Sequence, residues 1–310
     1  FTLADLFIEW SGLVNRAGKE WVPTFRLGQI KEPMTLDWMN GAKWTMFAER
    51  AMFTETLVPN RTPGIRAHGT GLDRRLTYQV GLYSVNENLD QFAVGQGEAI
   101  TGRITGLLWA PKRHQRRLLH VGASSTWRQN VSSVRFQAHP ESWSGPDIVD
   151  TGDYDADAYR SHAYEVFFQY DRFAAISEGA WTQVTLPGND GAIDYRGWYA
   201  ALSYYLIGKG INFNRTLAVF GRVRPERTVI CPKTGFGDLE LTARYSTMNL
   251  DDGPFPGGAA RNLTVGLNWF PRDNMRVTFN YMFTAVKNAY GVTDADGTMN
   301  SFVLRLQYDL

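Results

Sequence analysis

Phe302-Val303-Leu304-Arg305-Leu306-Gln307-Tyr308-Asp309-Leu310 ends the chain on strict alternation, apolar or aromatic residues at even positions and mostly polar ones between them. A strand places successive side chains on opposite faces, so this run has one apolar face and one charged face. The same period recurs upstream. Val277, Phe279, Tyr281 and Phe283 alternate with Arg276, Thr278, Asn280 and Met282. Leu263, Val265, Leu267 and Trp269 alternate with Thr264, Gly266 and Asn268, and Leu239, Leu241, Ala243 and Tyr245 with Glu240, Thr242, Arg244 and Ser246. Near the other end, Leu76, Tyr78, Val80 and Leu82 repeat the pattern.

Matching this template along the chain predicts thirteen strands, at 1–12, 22–31, 63–69, 75–84, 99–109, 116–127, 159–170, 172–184, 194–207, 236–249, 260–270, 275–286 and 300–310. Helical spacing is confined to 32–56, where Leu36, Trp38, Met39, Trp44, Met46, Phe47, Met52 and Phe53 fit short helical turns.

Composition narrows the alternatives. The 310 residues carry 32 Lys+Arg against 31 Asp+Glu, which removes the simple electrostatic case for a nucleic-acid partner. One Cys excludes a disulfide framework or a cysteine metal cluster. No apolar run is long enough for a membrane helix, which needs about 18 residues or more. The 30 Gly and the 10 Trp, 14 Tyr and 18 Phe therefore need another explanation.

Connection lengths supply it. Turns at 70–74, 110–115, 171–172 and 271–274 are short and 13–21 is moderate, whereas 32–62, 85–98, 128–158, 185–193, 250–259 and 287–299 are long; the two kinds alternate except at 208–235, which is long on the short-turn side. Outer-membrane barrels sort their connections in this way, short on the periplasmic side and long outside. Trp109, Trp127, Trp198, Tyr170, Trp269, Tyr281 and Tyr308 fall near the ends of apolar faces, as an interfacial girdle requires. The polar faces suit a wet lumen. Only a closed barrel pairs every backbone group in lipid. The competing architecture, a soluble sandwich or propeller, lacks a visible blade-length repeat. The expected fold is thus an all-β transmembrane antiparallel β-barrel in a Gram-negative outer membrane, a single domain over 1–310. Bacterial barrels close with even strand numbers. The odd count predicts that three strands precede this sequence and make sixteen.

Several segments resemble the phosphate-selective porin O and P family. Arg26-Leu27-Gly28-Gln29-Ile30-Lys31-Glu32-Pro33, then Glu49-Arg50, are similar to its RLGQ-x-KEP signature and following Glu-Arg pair. Phe220-Gly221-Arg222-Val223-Arg224-Pro225, Ala243-Arg244-Tyr245-Ser246, Val265 to Pro271 and Arg276 to Tyr281 extend the likeness. Ala51 stands where members often have Ser, and Leu310 where assembly signals prefer Phe. The resemblance implies a sixteen-stranded homotrimer with inward loops: 32–62 as constriction loop, 128–158 as a long extracellular loop and 208–235 as a long periplasmic turn.

Alternation assigns Arg26, Arg66, His68, Arg75, Arg103, Arg244, Arg276 and Arg305 to polar faces, with Glu165, Glu240 and Asp309 opposing them and Glu178 in an ambiguous register. Lys31, Lys43, Arg50 and Arg61 add cations on or next to the 32–62 segment, facing Glu32, Asp37, Glu49 and Glu55. Rings of Arg and Lys select anions, and the planar guanidinium suits phosphate. These residues therefore form the candidate pathway for small phosphate-like anions, with Lys31, Arg50, Arg61 and Arg66 nearest the constriction. Each could instead brace the lumen by pairing with a carboxylate. A general-diffusion pore, or a non-conducting scaffold barrel, is the alternative function.

The loop acids Glu141, Asp147, Asp150, Asp153, Asp155 and Asp157 read as a solvated surface with conceivable contact to divalent cations or lipopolysaccharide. The basic turn Lys112, Arg113, His114, Arg116, Arg117 reads as meeting anionic headgroups or solvent. No GxSxG elbow or HExxH helix occurs, and His162 and Glu165 would face opposite sides of a strand. Cys231 is placed in the inward turn. No catalytic residue, cofactor or metal ligand is predicted.

Overall fold

The computed structural model describes residues 5–11, 21–85, 97–189, 191–229, 235–287 and 296–309. Thirteen long strands form one antiparallel sheet in sequence order. They are β1 (Leu6–Trp10), β2 (Thr24–Lys31), β3 (Arg61–Gly71), β4 (Leu76–Val85), β5 (Gly97–Trp109), β6 (Arg117–Gln129), β7 (Ala158–Tyr170), β8 (Phe173–Thr185), β9 (Ala192–Ile207), β10 (Asp238–Asn249), β11 (Ala259–Arg272), β12 (Met275–Lys287) and β13 (Gly297–Tyr308). All thirteen expected strands are present. The predicted strand at 1–12 lies partly outside the described residues, as does Cys231.

The burial pattern is inverted relative to a soluble sheet. Along β9 exposure alternates strictly, and the exposed positions include Trp198, Leu202, Tyr204 and Leu206. The buried positions include Tyr195, Ser203 and Tyr205. On β10 and β11 the same holds, with Leu241, Leu263 and Val265 outside and Thr242, Arg244, Asn262, Thr264 and Asn268 inside. A continuous apolar outer face is unstable in water and stable against lipid. Tyr281 departs from the girdle reading: it sits mid-strand on β12, where its hydroxyl donates to Asn300 Oδ1 at 2.6 Å.

Gly28 lets β1 approach β2. Its φ of 142° and the 2.1 Å that would separate a Cβ from the Leu6 carbonyl oxygen exclude any side chain there. The Asp171-Arg172 turn between β7 and β8 is tight enough to hold Asp171 at φ 51°.

Three connections fold onto the inner face. Residues 32–60 contain two short helices, α1 (Leu36–Met39) and α2 (Met52–Thr56). This segment reaches β2 through Lys31, β8 through Glu178, β12 through Asn280 and β13 through Arg305. One connection can touch strands so far apart only if the sheet curls around it. The segment after β6 forms two small hairpin pairings, Ser133–Val134 with Tyr154–Asp155 and Gln137–Ala138 with Val149–Asp150. The connection after β9 carries Asn212–Asn214 paired with Val219–Gly221. Its Phe213 and Phe220 pack on Phe167 of β7, with ring centroids 5.6 and 4.9 Å away. The core is formed largely by these segments, with Met34, Leu36, Phe47, Met52, Phe53 and Leu57 all buried. The lumen wall is thus polar, but much of the space inside it is apolar loop.

Candidate functional site

Trp38, on α1, organises the inward loop. Thr35 caps the helix, accepting from Trp38 N at 3.3 Å. Glu178 of β8, whose register was ambiguous, points inward and accepts from Leu36 N and Asp37 N at the same terminus. Three cations converge on the Trp38 indole. Lys31 Nζ lies 4.9 Å from the ring centroid, Arg50 Cζ 5.0 Å and Arg61 Cζ 5.8 Å. All three remain partly accessible.

Their partners decide the charge. Lys31 Nζ donates to the carbonyls of Trp38 at 2.8 Å and Asn40 at 3.0 Å. Arg50 donates to the carbonyls of Asp37 at 3.2 Å and Asn40 at 3.0 Å. These acceptors are neutral dipoles and form no ion pair with either cation. Among the described residues, Arg61 alone of the three meets a carboxylate, Asp5 Oδ1 at 3.1 Å. The Trp38 indole N–H and the Asn40 side-chain amide are buried donors without a protein acceptor among the described residues. Donors and cations grouped in this way are the chemistry that takes an oxyanion.

The acids expected to neutralise this loop are occupied elsewhere. Glu32 turns to the wall, pairing with Arg128 and accepting from Thr62 and from Thr101 at 2.6 Å. Asp37 Oδ2 accepts from Ala51 N at 3.3 Å. Burial, then the nearby Glu49, pushes the Glu55 carboxyl up to about 7. Burial also raises Glu49 above the ordinary carboxylate range.

The remaining candidates separate by partner. Arg26 pairs with Glu9, and His68 Nε2 lies 3.6 Å from the same carboxylate. Arg66 is buried and donates to Lys31 O at 3.1 Å. Arg103 is buried against Glu165 at 2.6 Å, a carboxylate that His120 also reaches at 2.6 Å. Arg276 donates to the carbonyls of Thr45 at 2.6 Å and Met46 at 3.0 Å. Arg305 donates to Ala42 O and Ala48 O, both at 3.0 Å. Lys43 is exposed beside Trp44, 5.2 Å from its centroid. Arg75 is exposed at the short-turn end and donates to Ala110 O at 3.3 Å. Glu240 accepts from Ser203 and Asn268, and Asp309 lies 3.8 Å from Arg222. Bracing by carboxylates therefore describes Arg26, Arg61, Arg103 and Arg244, while Lys31, Arg50, Arg66, Arg75, Arg276 and Arg305 brace through carbonyls.

The reading of 128–158 as a solvated acidic surface needs correction at two positions. Glu141 is 3% exposed and accepts from Arg244, Ser246, Asn262 and Thr264 on β10 and β11. Asp150 is buried against Arg135. Both acids are drawn inward by a guanidinium, which repays their desolvation; Asp153, Asp155 and Asp157 stay exposed. Arg128 was missed because the expected strand stopped at 127. Extending the period by one residue places it inward beside Thr126. At the short-turn end, Arg113, Arg116, Arg172, Lys209 and Arg227, with Asp171, Glu226 and Asp238, bound a cavity of about 670 Å³.

A curled antiparallel wall with an apolar exterior, a polar interior and loops packed inside defines an outer-membrane β-barrel of the Gram-negative type. The family model for phosphate-selective porin O and P matches residues 3–310, and the chain belongs to that family. An uncharacterised protein of Caulobacter vibrioides is 25% identical over 302 residues, covering 95% of this chain and 58% of its own length. Porin O of Pseudomonas aeruginosa is 25% identical over 236 residues, covering 65% of this chain and 51% of its own. The chain thus spans little more than half the length of these relatives. Among solved structures, outer-membrane-expressed OmpT of Vibrio cholerae superposes with a TM-score of 0.52 at 12% identity, over 94% of this chain and 78% of that one. A trimer form of in-vitro folded OmpT has the same TM-score over 92% of this chain. At that identity the likeness speaks for the fold.

Proposed function

We propose that this outer-membrane porin conducts small anions, phosphate-like oxyanions among them, through a water-filled path past the Trp38 cluster, without a catalytic step. In this reading 32–62 is the constriction loop, 128–158 a long extracellular loop and 208–235 a long periplasmic turn, within a homotrimer. The observation that carries it is the set of cations on Trp38, two of which, Lys31 and Arg50, are hydrogen-bonded to carbonyls and not to carboxylates. Conduction needs several moderate sites rather than one deep trap. Arg305, Arg222 and the basic cavity at the short-turn end give further stations along the path.

Reconstituted in planar bilayers, the protein is expected to give ohmic pores whose reversal potential in a salt gradient shows anion preference. Millimolar phosphate is expected to reduce the chloride current, as a competitor held by the same cations would. Cation preference would overturn the channel reading. Anion preference without phosphate inhibition would replace it by a general anion pore.

A further inference from the structure

The outer face carries a charge pattern that conduction does not use. At the short-turn end its outward residues are mainly aromatic or aliphatic, including Trp109, Tyr170, Tyr204 and Tyr308, and the outward Arg117 there is paired with Asp171. At the long-loop end, arginines stand among tryptophans. Arg160 lies two residues inside β7, Arg196 four inside β9 and Arg261 two inside β11. Each is exposed and in phase with its strand's lipid-facing residues. Arg160 is the cross-strand partner of Trp127, and Arg196 that of Trp181. Arg261 and Trp198 both oppose Thr247.

None of these guanidinium groups has an ion pair among the described residues. Arg160 bonds the Gln183 side-chain oxygen. Asp194, in the same band, accepts instead from Trp181 Nε1 at 3.0 Å and Gln183 Nε2 at 3.1 Å. An outward Arg is costly at the bilayer midplane and nearly neutral near the interface. Three unpaired arginines along one rim, beside indole rings that favour the headgroup level, therefore call for phosphate in that leaflet. On the opposite rim the outward Arg117 already has Asp171 as its partner, so that rim makes no such demand.

We propose that the band formed by Arg160, Arg196 and Arg261 with Trp127 and Trp181 binds the phosphate groups of lipopolysaccharide. This rests on the proposed outward orientation of the long loops and is independent of conduction. The test uses the full chain purified from outer membranes in detergent, comparing wild type with R160Q/R196Q/R261Q. Retained lipopolysaccharide is measured by native mass spectrometry. Rebinding is then followed with lipopolysaccharide, its dephosphorylated form and phosphatidylglycerol. Retention is expected to fall at least tenfold in the triple variant. The dephosphorylated lipid should bind the native chain no better than lipopolysaccharide binds the variant, an arm that needs no substitution. Equal retention by the variant would overturn the proposal. So would equal binding of phosphatidylglycerol, which would mark a general phospholipid contact, or a changed oligomeric state in the variant, which would mark a protomer interface. The variant's anion reversal potential is expected to match wild type, so this result and the channel result are read separately.

Discussion

Trp38 shows how one residue concentrates charge. A lone indole face attracts a cation by roughly 0.5–1 kcal/mol at exposed sites, too little by itself to hold three. The carbonyls of Asp37, Trp38 and Asn40 complete the arrangement by orienting Lys31 and Arg50 without neutralising them. Glu55 titrates beside this cluster. Burial raises it to about 7, reinforced by Glu49, Asp37 and Glu141 and opposed by Arg50. Below that pH Glu55 is protonated and the loop gains net positive charge; above it the carboxylate subtracts from the cluster. The anion-to-cation permeability ratio is therefore expected to rise as pH falls from 8 to 6. One unit charge at ~7 Å in water-like dielectric amounts to about 0.6 kcal/mol, or about threefold. E55Q is expected to raise the ratio at pH 8 above that of wild type and to lessen its dependence on pH. Identical profiles for wild type and E55Q would exclude this assignment.

At the element scale, the long loop after β6 is held by Glu141. Its backbone sits at φ 55°, a left-handed conformation that costs a non-glycine residue about 1–3 kcal/mol. The bonds from Arg244, Ser246, Asn262 and Thr264 hold it there. Truncating one partner of a buried pair strands the other, at a cost of about 3–5 kcal/mol. E141A is expected to lose that much stability in denaturant titrations in micelles, and to expose 130–157 to protease first. An unchanged midpoint with a protected loop would show that the hairpin pairings alone retain the segment. The strands themselves were legible because a period of two survives any tertiary context; Arg305 and Leu306 disclose their faces without help. The loops were not. Glu141 and Asp153 look alike in a run of acids, and only the arrival of Arg244 from a distant strand separates the buried one from the exposed one. Trp38 likewise carried no local sign that Arg50 and Arg61 would meet on it, since their convergence depends on the loop's path inside the wall.

Over the whole molecule, near-zero net charge and negative mean hydropathy describe neither face. Leu202, Val265 and Leu304 look outward, while Arg103, Arg244 and Arg276 are buried inside. A sum over the chain averages two solvents. Stability should therefore depend on depth as well as residue type. Val265 lies mid-strand on β11, exposed, with Ala243 and Tyr281 as cross-strand partners. Arg261 faces the same way on the same strand, two residues from its long-loop end. V265R is expected to cost about 2–4 kcal/mol of folding free energy in lipid vesicles, whereas R261V should change it by no more than about 1 kcal/mol. In detergent micelles, which deform around a charge, the V265R penalty is expected to shrink. If both substitutions were neutral in vesicles, Val265 would not face hydrocarbon, and the assignment of this sheet's outer face to lipid would fail with it.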